Sequence, residues 1–320
     1  MQSGRWGIQQ IAAITAGLLN LHPATVIAQG AEQEYRQLHL GVEVRLLLAT
    51  KDRAAADAAA KAAYATIATL EQVLSDWRPT SEVRRLGDHP GVWVPVSPVL
   101  FEVTAAALAV AKASRGAFDP AVGPMVMLWR EARRSGVLPT EHALRVARTE
   151  SGWRHVHIDR ATQSIRLNRP GMRLDFGGIA KGFILDSARR VLQSYGITRV
   201  LLEAGGDIVL GDPPPGQAGW RVGVATSHGD TTLLLANVAV GTSGPSAQFV
   251  EIDGVRYSHV VDPRNGRALT HATQATVIHR VGAMSDALST MITVLGEAKG
   301  SAVARDLGAT SVFVRAAPPP

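Results

Sequence analysis

The feature that most constrains this chain is the stretch 174–186, in which two adjacent glycines separate a β-prone segment from an amphipathic helical pattern. Asp175 precedes the glycines Gly177 and Gly178, and Lys181 follows them in the first predicted helical turn. Glycines let a ligand approach the backbone closely, and the unpaired amides at the start of a helix attract anions. The pattern therefore predicts a nucleotide or phosphate site. The structural alternative is a tight strand-to-helix turn with solvated charges.

The composition excludes several classes of protein. The 320 residues are 46% hydrophobic and 19% charged, which is ordinary for one large or two small globular domains. The net charge is +6, but no basic run exceeds two residues, so the charge favours general anion affinity over a nucleic-acid surface. The chain has no cysteine, which excludes disulfides, thiolate metal sites and cysteine nucleophiles.

The first 28 residues resemble a signal peptide. Arg5 precedes a short apolar stretch at 11–19, and Val-Ile-Ala at 26–28 resembles a cleavage site. The apolar stretch is too short to span a bilayer, and the sequence predicts no transmembrane segment elsewhere. We expect a periplasmic protein with a signal peptide at 1–28, a linker at 29–37, one domain at 38–315 and a disordered tail at 316–320.

Hydrophobic periodicity predicts an α+β fold with mainly antiparallel sheets. Alternating apolar residues predict strands at 38–48 and 231–240, and small residues predict a turn at 241–244. An alanine-rich pattern predicts a long helix at 51–77, which the following proline ends. Strands joined by hairpins, with helices grouped between them, indicate this fold class.

Two pairs of side chains are candidates for metal binding. Asp286 and Thr290 are four residues apart and share one face of a predicted helix, where a carboxylate and a hydroxyl suit Mg²⁺. The alternative is a helix cap formed by Ser285 or Asp286, with Thr290 bonded to its own backbone. His155 and His157 would share one face of a predicted strand, although no third ligand stands nearby in the sequence.

His259 is a candidate base. It follows a predicted strand and precedes a sharp turn, and an imidazole exchanges protons near neutral pH. The alternative is a structural histidine.

Seven short motifs follow one another along the chain. They are Ser-Asp-Trp-Arg-Pro at 75–79, Gly-Ala-Phe-Asp-Pro at 116–120, Asp-Phe-Gly-Gly-Ile-Ala-Lys-Gly at 175–182, Gly-Gly-Asp at 205–207, Thr-Ser-Gly at 242–244, His-Val-Val-Asp-Pro at 259–263 and Asp-Ala-Leu-Ser-Thr at 286–290. In wording and order they resemble the ApbE family, the FAD:protein FMN transferases, over about 38–315. Each motif alone is weak, whereas seven in order are specific. Leu40, Glu203 and Asn265 depart from the family pattern.

The resemblance implies an α+β fold and a Mg²⁺-dependent reaction. In that reaction FMN passes from FAD to a Thr or Ser hydroxyl of an acceptor protein, and AMP is released. His259 and Asp286 would be catalytic, with His259 or a nearby carboxylate taking the hydroxyl proton. The residues expected to contact FAD are Leu40, Trp77, Ala117, Phe118, Asp119, Asp175, Lys181, His259 and Val260, and those expected to hold Mg²⁺ are Gly178 or Ala180, through a backbone carbonyl, with Asp286 and Thr290.

Two other activities stay open from the sequence. One is a Mg²⁺-dependent FAD pyrophosphatase, in which water replaces the acceptor hydroxyl and the products are FMN and AMP. The other is a non-catalytic FAD-binding protein. The pair Asp286 and Thr290 argues against the second, because flavin binding alone needs no catalytic metal.

We predict that the mature protein begins near Gln29, because the apolar stretch and the small residues before it fit an export signal. Mass spectrometry of the periplasmic fraction of the native host should find this N-terminus. An intact Met1, or fractionation with the cytoplasm, would contradict the prediction.

Overall fold

A computed structural model describes residues 25–27, 33–244, 249–271 and 273–316. The helices in these ranges are α1 (Arg53–Leu74), α2 (Glu82–Leu86), α3 (Pro98–Ala113), α4 (Gly123–Ser135), α5 (Glu141–Thr149), α6 (Ala180–Ser194), α7 (Gly282–Leu295) and α8 (Glu297–Asp306). The strands are β1 (Thr25–Ile27), β2 (Gln33–His39), β3 (Val42–Leu48), β4 (Val94–Pro95), β5 (Val156–Asp159), β6 (Ser164–Leu167), β7 (Val200–Ala204), β8 (Asp207–Leu210), β9 (Trp220–Thr226), β10 (Gly229–Leu235), β11 (Ala239–Ser243), β12 (Phe249–Ile252), β13 (Val255–Ser258), β14 (Val261–Asp262), β15 (Arg267–Ala268), β16 (Thr273–His279) and β17 (Ser311–Ala316).

Among the described strands, seven form one antiparallel sheet in the order β17-β16-β11-β8-β7-β3-β2. One face packs against helices and the other against the small sheet β1-β9-β10. Strand β3 shows the alternation: Leu46 and Leu48 join the helical core, whereas Leu47 joins the cluster around Trp220 of β9. The protein therefore has the α+β fold that the sequence predicts.

The predicted helix at 51–77 is confirmed as α1, which Asp52 begins by accepting a hydrogen bond from the Ala55 amide. The predicted single strand at 38–48 is wrong. The chain turns at Leu40 and Gly41, whose φ angles are 56° and 73°, and it forms the hairpin of β2 and β3. The apolar alternation continues across this turn, so the pattern alone does not show it.

Two further predictions are also corrected. The expected strand at 231–240 is divided between β10 and β11, which belong to different sheets, and the chain turns between them at Asn237 (φ 55°). The residues 241–243, expected in a turn, are the end of β11. Gly241 lies there because a Cβ would meet the α7 backbone, 2.3 Å from the carbonyl carbon of Ser285. The glycine therefore serves helix packing rather than a turn.

Helices α6 and α7 cross at very short range. A Cβ on Gly182 would lie 2.0 Å from the carbonyl oxygen of Gly282, and a Cβ on Gly282 would lie 2.6 Å from that of Gly182. Both positions need glycine, because the two backbones are in contact at the crossing. The crossing brings the first turns of both helices together behind the sheet.

Strands extend beyond the predicted domain limits at both ends of the domain. Thr25–Ile27 pairs with β9, while the rest of the predicted signal peptide lies outside the described residues. Strand β2 begins at Gln33, inside the segment assigned to a linker, and β17 ends at Ala316, the first residue of the expected tail. Residues 317–320 lie outside the described part. In the part that is described, no helix has the length and apolarity needed to cross a membrane.

Candidate active site

Several predicted site segments meet at one end of the large sheet. The turn before β3 lies beside the turn between β7 and β8, because a Cβ on Gly205 would be 3.1 Å from Val42 Cγ1. Gly205 and Gly206 both have positive φ and form this second turn, and Asp207 begins β8 immediately after them. Leu40, expected to contact FAD, is in the first turn. On the other side, β8 pairs with the first two residues of β11, Ala239 and Val240.

The glycine pair before α6 leaves its backbone open to neighbouring side chains. The Gly177 amide donates to Asp175 Oδ1 at 2.8 Å. A Cβ on Gly178 would lie 3.0 Å from Thr290 Oγ1 and 3.3 Å from Phe118 Cε2. Thr290 and Phe118, which are expected to bind metal and FAD, thus both lie next to Gly178. Ala180, the other candidate carbonyl ligand, begins α6.

Lys181 is surrounded by oxygen atoms. Its Nζ lies 2.8 Å from Asp207 Oδ2, 3.3 Å and 3.4 Å from the two carboxylate oxygens of Asp286, and 3.4 Å from the Gly177 carbonyl oxygen. The Gly182 amide also donates to Asp286 Oδ2 at 3.3 Å. Lys181, Asp207 and Asp286 form what we call the lysine–acid cluster, and both carboxylates are buried.

The charges of this cluster depend on one another. Burial raises the pKa of Asp207, the neighbouring Asp286 raises it further, and Lys181 lowers it. Burial also raises the pKa of Asp286, against the effect of Lys181. Burial by itself would lower the pKa of Lys181, but the two carboxylates outweigh it and raise that pKa above its ordinary value. Lys181 therefore stays charged, and it holds together two carboxylates that would otherwise repel each other.

The helix-cap interpretation of Ser285 and Asp286 is wrong. Helix α7 begins at Gly282, and its first amides, those of Gly282 and Ala283, donate to Asp186 Oδ2 at 2.7 Å and 3.3 Å. Asp186 on α6 therefore caps α7 from the neighbouring helix, and burial raises the pKa of its carboxyl. Asp286 does not cap its own helix; it accepts the Gly182 amide in the first turn of α6 and lies beside Lys181.

The side chain of Asp119 stabilises the loop at 117–119. Asp119 accepts hydrogen bonds from the amides of Ala121 (2.8 Å) and Trp153 (2.9 Å), and burial raises its pKa to about 6. Ala117 packs in an apolar cluster with Val260 and Val294. Phe118 reaches Gly178, as above. The structure thus gives Asp119 a role in shaping the loop, and its expected contact with FAD stays a prediction.

His259 lies in the bend after β13, next to Val260. Val260 belongs to the same apolar cluster as Val294, which lies one turn beyond Thr290 on α7, and the catalytic role expected of His259 stays a prediction. The following turn is fixed by helix α4, because the Trp129 indole donates to the Gly266 carbonyl at 2.8 Å.

Trp77 and Asp175 are linked by a residue that the sequence analysis did not single out. The Arg130 guanidinium on α4 lies 4.0 Å from the ring centre of Trp77, donates to Asp175 Oδ2 at 3.1 Å and donates to Asp76 Oδ2. Burial and the nearby Asp76 raise the pKa of Asp175, whereas Arg130 and the Gly177 amide lower it.

The pair His155 and His157 does not gain further ligands. His155 belongs to a 3₁₀ turn before β5, and His157 Nε2 lies 2.7 Å from the Asn168 amide nitrogen. Among the described residues, no three His, Asp or Glu side chains are grouped as metal ligands. Any metal at the lysine–acid cluster would therefore depend on hydroxyl and carbonyl oxygens as well as carboxylates.

Two open grooves in the described part of the chain lie elsewhere. One, of about 610 Å³, lies between β2 and α1, and the other, of about 550 Å³, lies between α3 and β5. Neither is lined by Lys181, Asp286 or Thr290. The candidate site is thus identified by its side-chain chemistry and not by its concavity.

The donor set at the cluster suits a hard divalent cation. Carboxylate, hydroxyl and carbonyl oxygens converge there, from Asp286, Thr290 and the Gly177–Gly178 backbone, and these are the ligands that Mg²⁺ prefers. The Lys181 ammonium already lies among these oxygens, so the environment stabilises a cation. When all three groups are ionised, the lysine–acid cluster carries one net negative charge.

The chain thus combines an antiparallel α+β fold with a lysine–acid cluster beside an open glycine turn. The sequence matches the ApbE family over residues 40–314, and the chain belongs to that family. It is 31% identical over 309 residues to an FAD:protein FMN transferase of Treponema pallidum, covering 90% of this chain and 85% of that protein. Two solved structures each align with a TM-score of 0.79. The Pseudomonas stutzeri flavinyl transferase ApbE is 27% identical and covers 94% of both chains. The ApbE protein of Thermotoga maritima is 29% identical and covers 89% of this chain and 94% of that one.

Two residues of the site were missed by the sequence analysis. Asp207 belongs to the Gly-Gly-Asp motif, and its position after a glycine pair and before a strand is the sequence signal that could have identified it. Arg130 had no local signal, because only the tertiary fold brings it beside Trp77 and Asp175.

We predict that Lys181→Met lowers the free energy of unfolding, and more at pH 8 than at pH 5. Removing the ammonium leaves two buried carboxylates together, and breaking a buried ion pair typically costs about 3–5 kcal/mol. An acid whose pKa is raised in the folded state loses stability as the pH rises through that pKa, and without Lys181 these pKa values rise further. More of these carboxyl groups are protonated at pH 5 than at pH 8, so the penalty shrinks.

The measurement is urea denaturation with a chelator present, at both pH values. Lys61→Met, on the exposed face of α1, is the control and should change little. An equal loss at both pH values would show that Lys181 acts by packing and not by charge.

Proposed function

We propose that the protein uses Mg²⁺ to transfer FMN from FAD to a Thr or Ser hydroxyl of an acceptor protein, with release of AMP. The observation that carries the proposal is the position of Lys181 Nζ between the carboxylates of Asp207 and Asp286. Asp286 lies on the same helix as Thr290, whose hydroxyl is close to Gly178. Family membership and the relatives named FAD:protein FMN transferase support the same reaction.

The residues of the cluster can hold the cation and the pyrophosphate together. The Asp286 carboxylate and the Thr290 hydroxyl, with the carbonyl of Gly178 or Ala180, would hold Mg²⁺, and Lys181 supplies a fixed positive charge for the phosphates. Bound Mg²⁺ would neutralise the pyrophosphate and polarise the phosphorus under attack. The open glycine turn leaves backbone amides for phosphate oxygens.

The chemical step exchanges the phosphoanhydride bond of FAD for a phosphate ester bond to the acceptor. The acceptor hydroxyl oxygen forms a bond to the phosphorus of the FMN half, and the bond from that phosphorus to the bridging oxygen breaks. AMP leaves with the bridging oxygen. His259 accepts the hydroxyl proton, since imidazole is effective in general base catalysis near neutral pH.

The direct test is incubation of the mature protein with FAD, Mg²⁺ and candidate acceptors. The acceptor mass should increase by one FMN moiety as AMP appears, and an acceptor whose modifiable Thr is replaced by Val should stay unmodified. Release of FMN and AMP at the same rate without any acceptor would instead establish the FAD pyrophosphatase. Binding of FAD without turnover under either condition would establish a carrier.

The periplasm is the proposed compartment, and the acceptor would then be an exported protein or a domain facing the periplasm. This proposal rests on the resemblance of residues 1–28 to a signal peptide. Fractionation of the native host, followed by detection of acceptor-linked flavin in each fraction, tests the compartment separately from the activity.

We predict that Asp286→Asn abolishes most of the transfer activity while the fold stays stable. Asn keeps the size of the side chain but removes the charge that attracts the ion, and losing a metal contact costs about 10²-fold or more in rate. Thr290→Val should have a smaller effect, because a neutral hydroxyl contributes less than a carboxylate. Transfer rate is measured against Mg²⁺ concentration, with thermal melts alongside.

The control is Asp306→Asn, at the exposed end of α8, which should behave as wild type. A wild-type Mg²⁺ dependence in Asp286→Asn would remove Asp286 from the metal site.

We predict that His259→Ala leaves the FAD dissociation constant nearly unchanged and slows transfer at saturating FAD. A general base acts mainly in the transition state, where it typically contributes about 10²–10⁴-fold. The exposed His142 on α5 provides the control His142→Ala. Loss of FAD binding with a normal rate at saturation would make His259 a binding residue.

A further inference from the structure

We propose that Arg130 is a positioning residue for FAD: it holds the indole of Trp77 as a fixed stacking surface for an aromatic ring of the ligand. The inference rests on the proposed function, because it requires that FAD binds at this site. The family resemblance implies that Trp77 contacts FAD, whereas no local pattern in the sequence marks Arg130.

The geometry around Trp77 is that of a supported ring with one open face. The side chain is 70% exposed, although tryptophan is usually well buried. Its covered face lies on the Arg130 guanidinium, whose Cζ is 4.0 Å from the ring centre. A guanidinium at this distance attracts the indole face through a cation–π interaction. The opposite face is left available for a flat aromatic group.

Arg130 itself is fixed by two acids from different segments. One nitrogen donates to Asp76, next to Trp77 in the chain, and the other donates to Asp175 at 3.1 Å. Asp175 also accepts the Gly177 amide, at the glycine turn of the candidate site. A continuous series of contacts therefore joins Trp77 to the place where the pyrophosphate is expected to bind.

The arrangement needs arginine and not only a positive charge. The planar guanidinium donates from two nitrogens in its own plane while its face stacks on the indole. A lysine ammonium can neutralise one of the acids, but it has no plane to support the ring. Tying down Trp77 before FAD arrives reduces the entropy that binding must remove, so the effect should fall on affinity.

The experiment is a double-mutant cycle on FAD affinity, measured by FAD fluorescence with Mg²⁺ present and acceptor absent. The variants are Arg130→Met, Trp77→Ala and the double variant. Arg130→Met should raise the dissociation constant about tenfold, within the range of a cation–π contact. In the Trp77→Ala background the same change should add less than about twofold, since residues that act as a unit are not additive.

Two further variants complete the design. Arg134→Met removes an exposed arginine of the same helix, which pairs with the nearby Glu131, and it should bind FAD like wild type. Arg130→Lys keeps the charge beside the two acids, so it should fold normally and still lose several-fold in affinity. If Arg130→Met does not fold, the cycle is run with Arg130→Lys.

The proposal is overturned if Arg130→Lys binds FAD like wild type, or if the losses from Arg130 and Trp77 add fully. It also requires kcat at saturating FAD to stay within about threefold of wild type, because a positioning role for binding predicts a change in affinity. Wild type that binds FAD but modifies no acceptor would refute the transferase function, while the cycle would still decide the role of Arg130. Wild type that does not bind FAD would refute both.

Discussion

The crossing of α6 and α7 is the contact on which the candidate site depends. With no Cβ at Gly182 or Gly282, the two backbones touch, and Asp286 of α7 comes within reach of the Gly182 amide and of Lys181. Asp186 strengthens the crossing by capping α7 from α6. A Cβ at either glycine would lie only 2.0 Å or 2.6 Å from a backbone oxygen of the other helix, so a larger residue would force the helices apart. The cation ligands proposed on α7 and the glycine turn before α6 would then no longer form one site.

A cation shared by two carboxylates occurs twice in the site. Lys181 lies between Asp207 and Asp286, and Arg130 lies between Asp76 and Asp175. Burial disfavours the charged forms of Asp175, Asp207 and Asp286, and in each pair the shared cation offsets part of that cost. The two cations nevertheless differ in the roles proposed for them. The ammonium is a compact charge suited to phosphate, whereas the guanidinium has a face that supports an aromatic ring.

The sequence predicted the fold class, the long helix α1 and the order of the site motifs, because these depend on local periodicity and on residue types at short spacing. It failed at the Leu40–Gly41 turn, where apolar alternation continues across a change of direction. It also failed at Gly241, where a glycine suited to a turn serves instead as the contact between β11 and α7. The role of Arg130 could not be predicted, since Asp76 and Asp175 are 54 and 45 residues away from it along the chain. The cap of α7 was assigned to its own residues because nothing local points to Asp186.

The walls of the site come from segments spread between Leu40 and Thr290, so almost the whole domain must be folded before the ligand groups are near one another. FAD and its cation would therefore bind the native state and find no comparable site in the unfolded chain. By mass action, every tenfold rise of free ligand above its dissociation constant adds about 1.4 kcal/mol to the stability of the protein. The supply of FAD in the compartment thus sets the protein's resistance to unfolding and to proteolysis as well as its turnover. In a cell with little FAD, the protein would be mostly free of ligand and therefore less stable.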